Sequence, residues 1–163
     1  MADVAAETKD APRVFLFLQG PLSNFYSEIA KHLIDAGETV LKIHICGNDK
    51  MDWHHKGAFD YRGTLTNFER FLEENLTPFA VTHIILHGDR RPYHRAAIRW
   101  ARRYEIEIIA TELGYLRPDW MTIEYGGTST GSHFPNDAET IQEIASKVSD
   151  FDSKTIYSDK TLT

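Results

Sequence analysis

The sequence predicts an α/β fold, a three-layer Rossmann-like domain built on an open parallel sheet. The first observation is Val14–Leu18, a short run that is apolar at every position and is therefore typical of a strand buried on both faces of a parallel sheet. The second is the regular alternation of strands with segments of helical spacing, which indicates right-handed strand–helix–strand units. The third is the length of 163 residues, which suits one domain of ordinary size.

Each predicted element has a local reason. The first strand begins after Pro12, and the helix that follows keeps its apolar residues on one face before Gly37, a natural helix stop. Asp137 is the predicted N-cap of the last helix. The long polar connection Gly47–Gly63 and the glycine- and serine-rich segment Gly126–Asn136 are predicted as loops. The predicted elements are strand Val14–Leu18, a helix over residues 22–33, strand Thr39–Cys46, helix Thr64–Leu76, strand Ala80–Leu86, helix Pro92–Tyr104, strand Glu105–Thr111 and helix Asp137–Ser149.

Composition narrows the class of protein. A hydrophobic content of 42% is enough for a core, and a formal net charge of -6 disfavours a nucleic-acid partner. The single cysteine, Cys46, allows no internal disulfide, which fits a cytoplasmic location. Residues 1–12 are typical of a disordered lead rather than a secretory signal, residues 13–149 form the predicted domain, and residues 150–163 are predicted to be a linker or a truncated tail.

Ligands of open parallel sheets bind beyond the carboxyl ends of the strands, where three predicted loops lie. The loop after the first strand contains Gly20, where backbone N–H groups can face an anion; a simple tight turn is an equally good interpretation. The sequence has neither a G-x-G-x-x-G dinucleotide motif nor a Walker A lysine motif. It also lacks the histidine and cysteine spacings of zinc sites, so no metal or cofactor is predicted.

The loop His87–His94 is the first of two loops favoured as ligand sites. Its eight residues contain one carboxylate, two guanidinium, two imidazole and one phenol group, which is more than the start of a helix requires. Arginine side chains bind carboxylate or phosphate groups bidentately, and a solvated, salt-bridged helix start is the alternative. The candidate substrate-binding residues in this loop are Asp89, Arg90, Arg91, Tyr93 and His94.

An arginine stripe continues along the helix that follows, because six of the ten arginines lie between Arg90 and Arg103. We expect this stripe to be a solvated face whose charges pair with Glu105 and Glu107. An anionic membrane or a polyanionic sugar chain is the alternative partner. The residues of the stripe are Arg95, Arg99, Arg102 and Arg103.

The loop Glu112–Trp120 is the second favoured site, and another carboxylate, Glu124, follows it. Carboxylates beside an arginine suit glycosyl chemistry, in which a carboxylate serves as nucleophile or base. The aromatic rings of Tyr115 and Trp120 can stack on a sugar face, and a buried Arg–Glu pair that closes the loop is the alternative. The candidate catalytic residues are Glu112 and Asp119, and the candidate substrate-binding residues are Tyr115, Arg117 and Trp120.

Three motifs carry a resemblance to a known family: FLQGP at Phe17–Pro21, GDRRPYHRAAI at Gly88–Ile98 and ELGYLRPDWMTIE at Glu112–Glu124. Together they resemble the capsular polysaccharide biosynthesis and export family, and within it the KpsS-like members. The resemblance covers roughly residues 13–134, and its last two motifs are long and unusual.

This resemblance implies one half of a GT-B-type glycosyltransferase with two Rossmann-like halves. Such members of the family are retaining β-Kdo transferases, which use CMP-Kdo to build the linker between a phospholipid and a capsular polysaccharide. The implied partners are therefore CMP-Kdo, a lipid-linked glycan acceptor and a C-terminal nucleotide-binding half, with peripheral contact at the inner membrane. The 163 residues correspond to the N-terminal half, which we expect to be inactive by itself.

The sequence departs from the family pattern at one position. Related transferases carry a paired acidic motif, Glu-Asp/Glu-Gly, where this chain has Glu112-Leu113-Gly114. Glu112 is the nucleophile if the first position serves, and Asp119 is the other candidate acid. Two other functions stay open: a non-catalytic glycan- or anion-binding module that assists capsule export, and a flavodoxin-like metabolite-binding regulator, which the missing phosphate motifs disfavour.

Overall fold

The computed structural model describes residues 12–114, 120–128 and 131–147. One sheet contains six strands in the order β3-β2-β1-β4-β5-β6, and helices flank it, which confirms the Rossmann-like α/β class. The predicted lead and tail lie outside the described residues, except for Pro12. The elements are β1 (Val14–Phe17), α1 (Phe25–Asp35), β2 (Thr39–His44), α2 (Gly47–Met51), β3 (Ala58–Asp60), α3 (Phe68–Leu76), β4 (His83–His87), α4 (Pro92–Arg103), β5 (Glu107–Leu113), β6 (Met121–Tyr125) and α5 (Ala138–Lys147).

The centre of the sheet is parallel, as predicted. β1 pairs in parallel with β2 on one side and with β4 on the other, and β4 pairs in parallel with β5. From β1 the chain adds β2 and β3 on one side of the sheet, and it then adds β4, β5 and β6 on the other side. The direction in which strands are added therefore reverses between β1 and β4. Such a reversal opens a crevice at the carboxyl ends of the two strands. Within the described residues, no helix is long and apolar enough to cross a bilayer.

The prediction of a parallel sheet is wrong at one edge, because β6 runs antiparallel to β5. β5 ends at Leu113 and β6 begins at Met121, and an antiparallel partner needs no crossover helix. The Gly114 N–H donates to the Trp120 carbonyl at 2.7 Å, which links the ends of the two strands. Residues 121–124, which follow the predicted loop Glu112–Trp120 and were not assigned to a strand, are therefore part of the sheet.

The prediction that Gly47–Gly63 is all loop is also wrong, since this connection contains α2 and β3. The Asp49 carboxylate accepts hydrogen bonds from the Ile45 and Cys46 N–H groups, both at 2.9 Å, and fixes the start of α2. β3 pairs with β2 over three residues at the sheet edge. A strand this short and exposed has no extended apolar pattern in the sequence.

Two predicted strands begin later than expected because of left-handed residues. Ala80 has a φ of 49° and Glu105 a φ of 54°, so the chain turns at both positions before β4 and β5 begin. β5 in turn continues to Leu113, which places Glu112 in a strand rather than a loop. The predicted cap of the last helix is confirmed, since Asp137 Oδ1 accepts from the Thr140 N–H at 2.8 Å.

The core lies on both faces of the sheet and confirms the three layers. On one face, α1 packs on the sheet through Tyr26 and Ala30, with Trp53 beside them. On the other face, α3 and α4 cover the strands and contribute Phe68 and Trp100, each nearly inaccessible to solvent. Strand residues point alternately into these two clusters, which is the reason that Val14–Leu18 is apolar throughout.

Candidate functional site

A cavity of about 370 Å³ lies at the crevice between β1 and β4. Its lining comes from the loop after β1, the start of α2, the end of β4 and the end of β5. The residues that line it are Gln19, Gly20, Pro21, Leu22, Cys46, Asn48, Asp49, Asp52, His87, Arg91 and Leu113. We call this cavity the switch-point crevice.

Gly20, a predicted substrate-binding residue, lines the crevice, and its backbone approaches α1 closely. A Cβ atom at this position would lie 2.7 Å from the Tyr26 ring, so any larger residue would displace that side chain. Its neighbour Gln19 accepts a hydrogen bond from Arg91 through Oε1 at 3.0 Å. The loop after β1 is thereby connected to the start of α4 across the crevice.

His87 is the last residue of β4 and brings an imidazole to the crevice. Its Nδ1 lies 3.0 Å from the hydroxyl of Thr111, and that hydroxyl lies 2.9 Å from the Tyr26 hydroxyl. Burial lowers the pKa of His87, with the Glu112 carboxylate acting in the opposite direction. The imidazole is therefore neutral at neutral pH, and neutral imidazole can accept a proton.

Glu112 extends from β5 toward His87, with its carboxylate Oε1 4.0 Å from His87 Nε2. The carboxylate is half-exposed, and its other oxygen lies close to Gly88. Successive strand residues point to opposite sides, so the next residue, Leu113, faces elsewhere and lines the crevice. The position at which the family resemblance implies a second acid is thus on the crevice, and here it holds a leucine.

The charged residues of the loop after β4 go to two different places. Arg91 lines the switch-point crevice. Asp89 and Arg90 instead lie on the side of α4, where Asp89 Oδ2 accepts from the Thr128 N–H at 3.2 Å. Arg90 Nε lies 3.5 Å from Asp89 Oδ1. The structure therefore separates three residues that the sequence had grouped as one substrate-binding loop.

Tyr93 and His94 point into the interior rather than into the crevice. The Tyr93 ring packs edge-on against Phe68, with the ring centroids 5.1 Å apart. His94 is 0% exposed, and its Nδ1 donates to the Gly88 carbonyl at 2.6 Å. Burial lowers the pKa of His94 to about 4, so it is neutral and holds the turn that precedes α4.

Four predicted site residues remain. Trp120 immediately precedes β6 and is partly buried, and the other three lie outside the described part of the chain. Those three are Tyr115, Arg117 and Asp119. Their assignment as site residues stays a prediction.

Lys42 is a buried residue near the crevice that sequence reasoning missed. Its Nζ donates to the Leu18 carbonyl at 2.7 Å and lies 5.6 Å and 5.5 Å from the centroids of the Tyr26 and Trp53 rings. Burial lowers its pKa to about 8. The signal was present, since a lysine interrupts the otherwise apolar centre of Thr39–His44, and buried lysines require such partners.

Two arginines of the stripe on α4, Arg99 and Arg103, pair with α3 and not with Glu105 and Glu107 as predicted. Arg99 Nε donates to Glu69 Oε1 at 2.8 Å, and Arg103 forms ion pairs with Glu69 and Glu73. α3 and α4 lie side by side on the sheet, so their exposed edges meet, whereas the left-handed turn at Glu105 leads the chain away. Part of the stripe also borders a second cavity, described below.

The fold and the crevice define a Rossmann-like α/β domain with a partly polar cavity at its topological switch point. The family described as capsule polysaccharide biosynthesis protein matches this chain over residues 82–163, and the chain belongs to that family.

Two relatives place the match in context. The chain is 32% identical over 130 residues to the capsule polysaccharide export protein KpsS of Escherichia coli, which covers 80% of this chain and 33% of the relative. It is also 32% identical over 130 residues to the capsule polysaccharide modification protein LipB of Neisseria meningitidis serogroup A, covering 78% of this chain and 31% of the relative. The chain therefore spans about a third of the length of these relatives.

Proposed function

We propose that this chain is the N-terminal half of a retaining β-Kdo glycosyltransferase of the GT-B type, which uses CMP-Kdo to build the lipid linker of a capsular polysaccharide. The observation that carries the proposal is a carboxylate beside a neutral imidazole at the edge of the switch-point crevice: Glu112 Oε1 lies 4.0 Å from His87 Nε2, and His87 lines the crevice together with the Arg91 guanidinium. Membership of a capsule polysaccharide biosynthesis family supports a glycan as the substrate.

The proposed reaction is a double displacement. In the first step, an oxygen of the Glu112 carboxylate bonds to the anomeric carbon of Kdo. The bond from that carbon to the phosphate oxygen breaks, and its electron pair leaves with CMP. In the second step, an acceptor hydroxyl oxygen bonds to the anomeric carbon and the carboxylate departs with the electrons of the glycosyl–enzyme bond. Two inversions retain the anomeric configuration.

His87 is the proposed base of the second step. When Nδ1 carries the proton and donates to the Thr111 hydroxyl, Nε2 presents its lone pair on the side of Glu112. The acceptor hydroxyl then transfers its proton to Nε2 as its oxygen attacks. The lowered pKa of His87 favours the neutral form that this role requires.

Arg91 is the proposed partner of an anionic substrate group. Its guanidinium is held at the crevice by Gln19 through one N–H group, which leaves other donors for the carboxylate of an acidic sugar. CMP is a good leaving group, so its departure needs little acid catalysis. The nucleotide itself is assigned to a C-terminal half, and the reaction to the cytoplasmic face of the inner membrane.

The test joins this chain to its C-terminal half and measures Kdo transfer from CMP-Kdo to a lipid-linked acceptor. Glu112→Gln is expected to lower kcat by at least about 10³-fold, because the amide cannot act as the nucleophile. Glu107→Gln, at the exposed first residue of β5, the strand that also carries Glu112, is the matched control and should keep full activity.

Asp119→Asn separates the two candidate acids. If Asp119→Asn abolishes transfer while Glu112→Gln does not, Asp119 is the nucleophile. Activity that survives both substitutions would exclude a catalytic role for either acid and favour the non-catalytic glycan-binding module. Turnover by the isolated chain would contradict the two-half architecture.

A further inference from the structure

We propose that a second groove, which α4 borders and Glu112 does not line, binds an extended carboxylate-bearing sugar chain. The groove has a volume of about 300 Å³ and lies between α4 and the chain that follows β6. We call it the arginine groove, and its main lining residues are Arg90, Arg95, Arg99, Arg102, Gly126 and Gly131. The inference rests on the proposed function, because it names a glycan as the ligand.

The groove is held open by a buried connection. Asp89, only 12% exposed, accepts from the Thr128 N–H and fixes the chain after β6 beside the start of α4. Gly127 and Gly131 pack against this carboxylate, and a Cβ atom on Gly127 would lie 3.1 Å from Asp89 Oδ2. The glycine side of the groove therefore presents backbone, which a sugar ring can approach closely.

The arginine groove carries more positive charge than the neighbouring carboxylates neutralise. Arg95, Arg99 and Arg102 are at positions i, i+4 and i+7, so they share one face of α4 over about 10 Å. Arg99 is paired with Glu69, whereas Arg95 and Arg102 have no carboxylate partner among the residues that the structure describes. Like charges one turn apart repel each other on a helix, and an anionic ligand would remove that repulsion.

The length of this row favours a chain with several anionic groups over a single phosphate. One phosphate can engage neighbouring guanidinium groups, while Arg95 and Arg102, about 10 Å apart along α4 with Arg99 between them, match anionic groups repeated along a ligand. The remaining lining suits sugar hydroxyls and ring carbons, since Asp89 offers a carboxylate oxygen and Ile98 an apolar surface.

The same face does not have the composition of a membrane-binding helix. From Arg95 to Arg103, every exposed side chain of α4 is an arginine, and the residues between them are buried. A helix that lies in a membrane surface presents apolar side chains to the lipid. A concave arginine surface without such side chains favours a sugar chain with carboxylate groups, dissolved in water, as the ligand.

The test measures binding of trigalacturonic acid to the full chain by isothermal titration calorimetry. The double substitution Arg95→Gln/Arg102→Gln is expected to weaken binding at least about tenfold, because it removes two charge-assisted contacts. The control is Arg62→Gln/Arg70→Gln, which removes the same charge from exposed positions outside the groove and should leave the affinity unchanged. Neutral maltotriose should not bind.

Several outcomes would overturn the inference. Equal weakening in the control would indicate binding by net charge alone. Inorganic phosphate that binds as tightly as the trimer would indicate a single-anion site. Binding to phosphatidylglycerol vesicles that depends on Arg95 and Arg102, without binding of the trimer, would indicate a membrane surface. Absence of any trimer binding would also contradict the proposal.

The binding test is independent of catalysis. Glu112→Gln, which should abolish transfer, is expected to bind trigalacturonic acid with unchanged affinity, since Glu112 does not line the arginine groove. If the transferase proposal fails, trigalacturonic acid should still bind to the arginine groove. If the groove proposal fails, the effect of Glu112→Gln on Kdo transfer is still measured independently.

Discussion

Thr111 is a buried hydroxyl on which two other side chains depend. It lies in β5, is 0% exposed, and contacts both the Tyr26 hydroxyl and His87 Nδ1. Burial, the largest cause, raises the pKa of Tyr26 well above its usual value, so that phenol stays neutral and needs a partner. Thr111 thereby joins α1, β4 and β5 at the point where the proposed base is positioned.

Replacing this hydroxyl should reduce stability. Thr111→Val keeps the shape of the side chain but leaves the Tyr26 hydroxyl buried without its partner, at an expected cost of about 1–3 kcal/mol in the free energy of unfolding. Urea denaturation measures this change. Thr39→Val, at an exposed strand position, is the control, and an equal effect of the two substitutions would contradict the role assigned to Thr111.

Lys42 should make stability depend on pH. The ammonium is charged below about pH 8 in the folded chain and below about pH 10.5 in the unfolded chain. Between these values the unfolded state binds more protons, so the free energy of unfolding rises with pH. Relative to Lys42→Met, the wild-type chain should gain up to about 3 kcal/mol across this window.

The measurement is urea denaturation of both proteins at several pH values through that window. Titration of other lysines and tyrosines is common to the two proteins and cancels in the difference. A difference that stays constant with pH would show that Lys42 keeps its usual pKa in the folded chain.

At the scale of elements, the junction between β4 and α4 determines where the functional groups point. Gly88 has a φ of 74°, its N–H donates to the Thr111 carbonyl at 2.8 Å, and its carbonyl accepts from His94. This turn sends Arg91 to the switch-point crevice and Asp89 to the arginine groove. Pro92 then begins α4 at the position where its missing N–H group is not needed.

Substitution of the glycine at this junction should be costly. Gly88→Ala forces a side chain into a left-handed conformation, with an expected loss of about 1–2 kcal/mol, and its Cβ atom would lie 3.3 Å from Glu112 Oε2. Thermal or urea denaturation measures the loss. Gly47→Ala is the control, because a Cβ there meets nothing within 4 Å; an equal loss in both would contradict strain at Gly88.

At the scale of the whole molecule, stability is concentrated in the centre of the sheet. β1 and β4 have strand neighbours on both sides and helices on both faces, whereas β3 and β6 are edge strands. Their side chains differ accordingly: β1 and β4 are largely buried, while β3 and β6 contain no fully buried residue. Edge strands with little burial open by local unfolding.

Amide hydrogen exchange can test this gradient. The amides of β1 and β4 should exchange only through global unfolding, and those of β3 and β6 through local opening with a much smaller free energy. Protection in β6 equal to that in β4 would show that the antiparallel edge unfolds together with the sheet centre.

The sequence by itself determined the strand–helix alternation, the buried parallel strands and the position of polar loops at their carboxyl ends, because periodicity and apolar runs are local properties. Tertiary structure alone decided three matters: the antiparallel course of β6, the pairing of the α4 arginines with α3, and the separation of Arg91 from Asp89 and Arg90. Each depends on which surfaces meet after the chain has folded. A linear pattern contains the residues of a site, but the contacts between distant segments determine which of them face the same space.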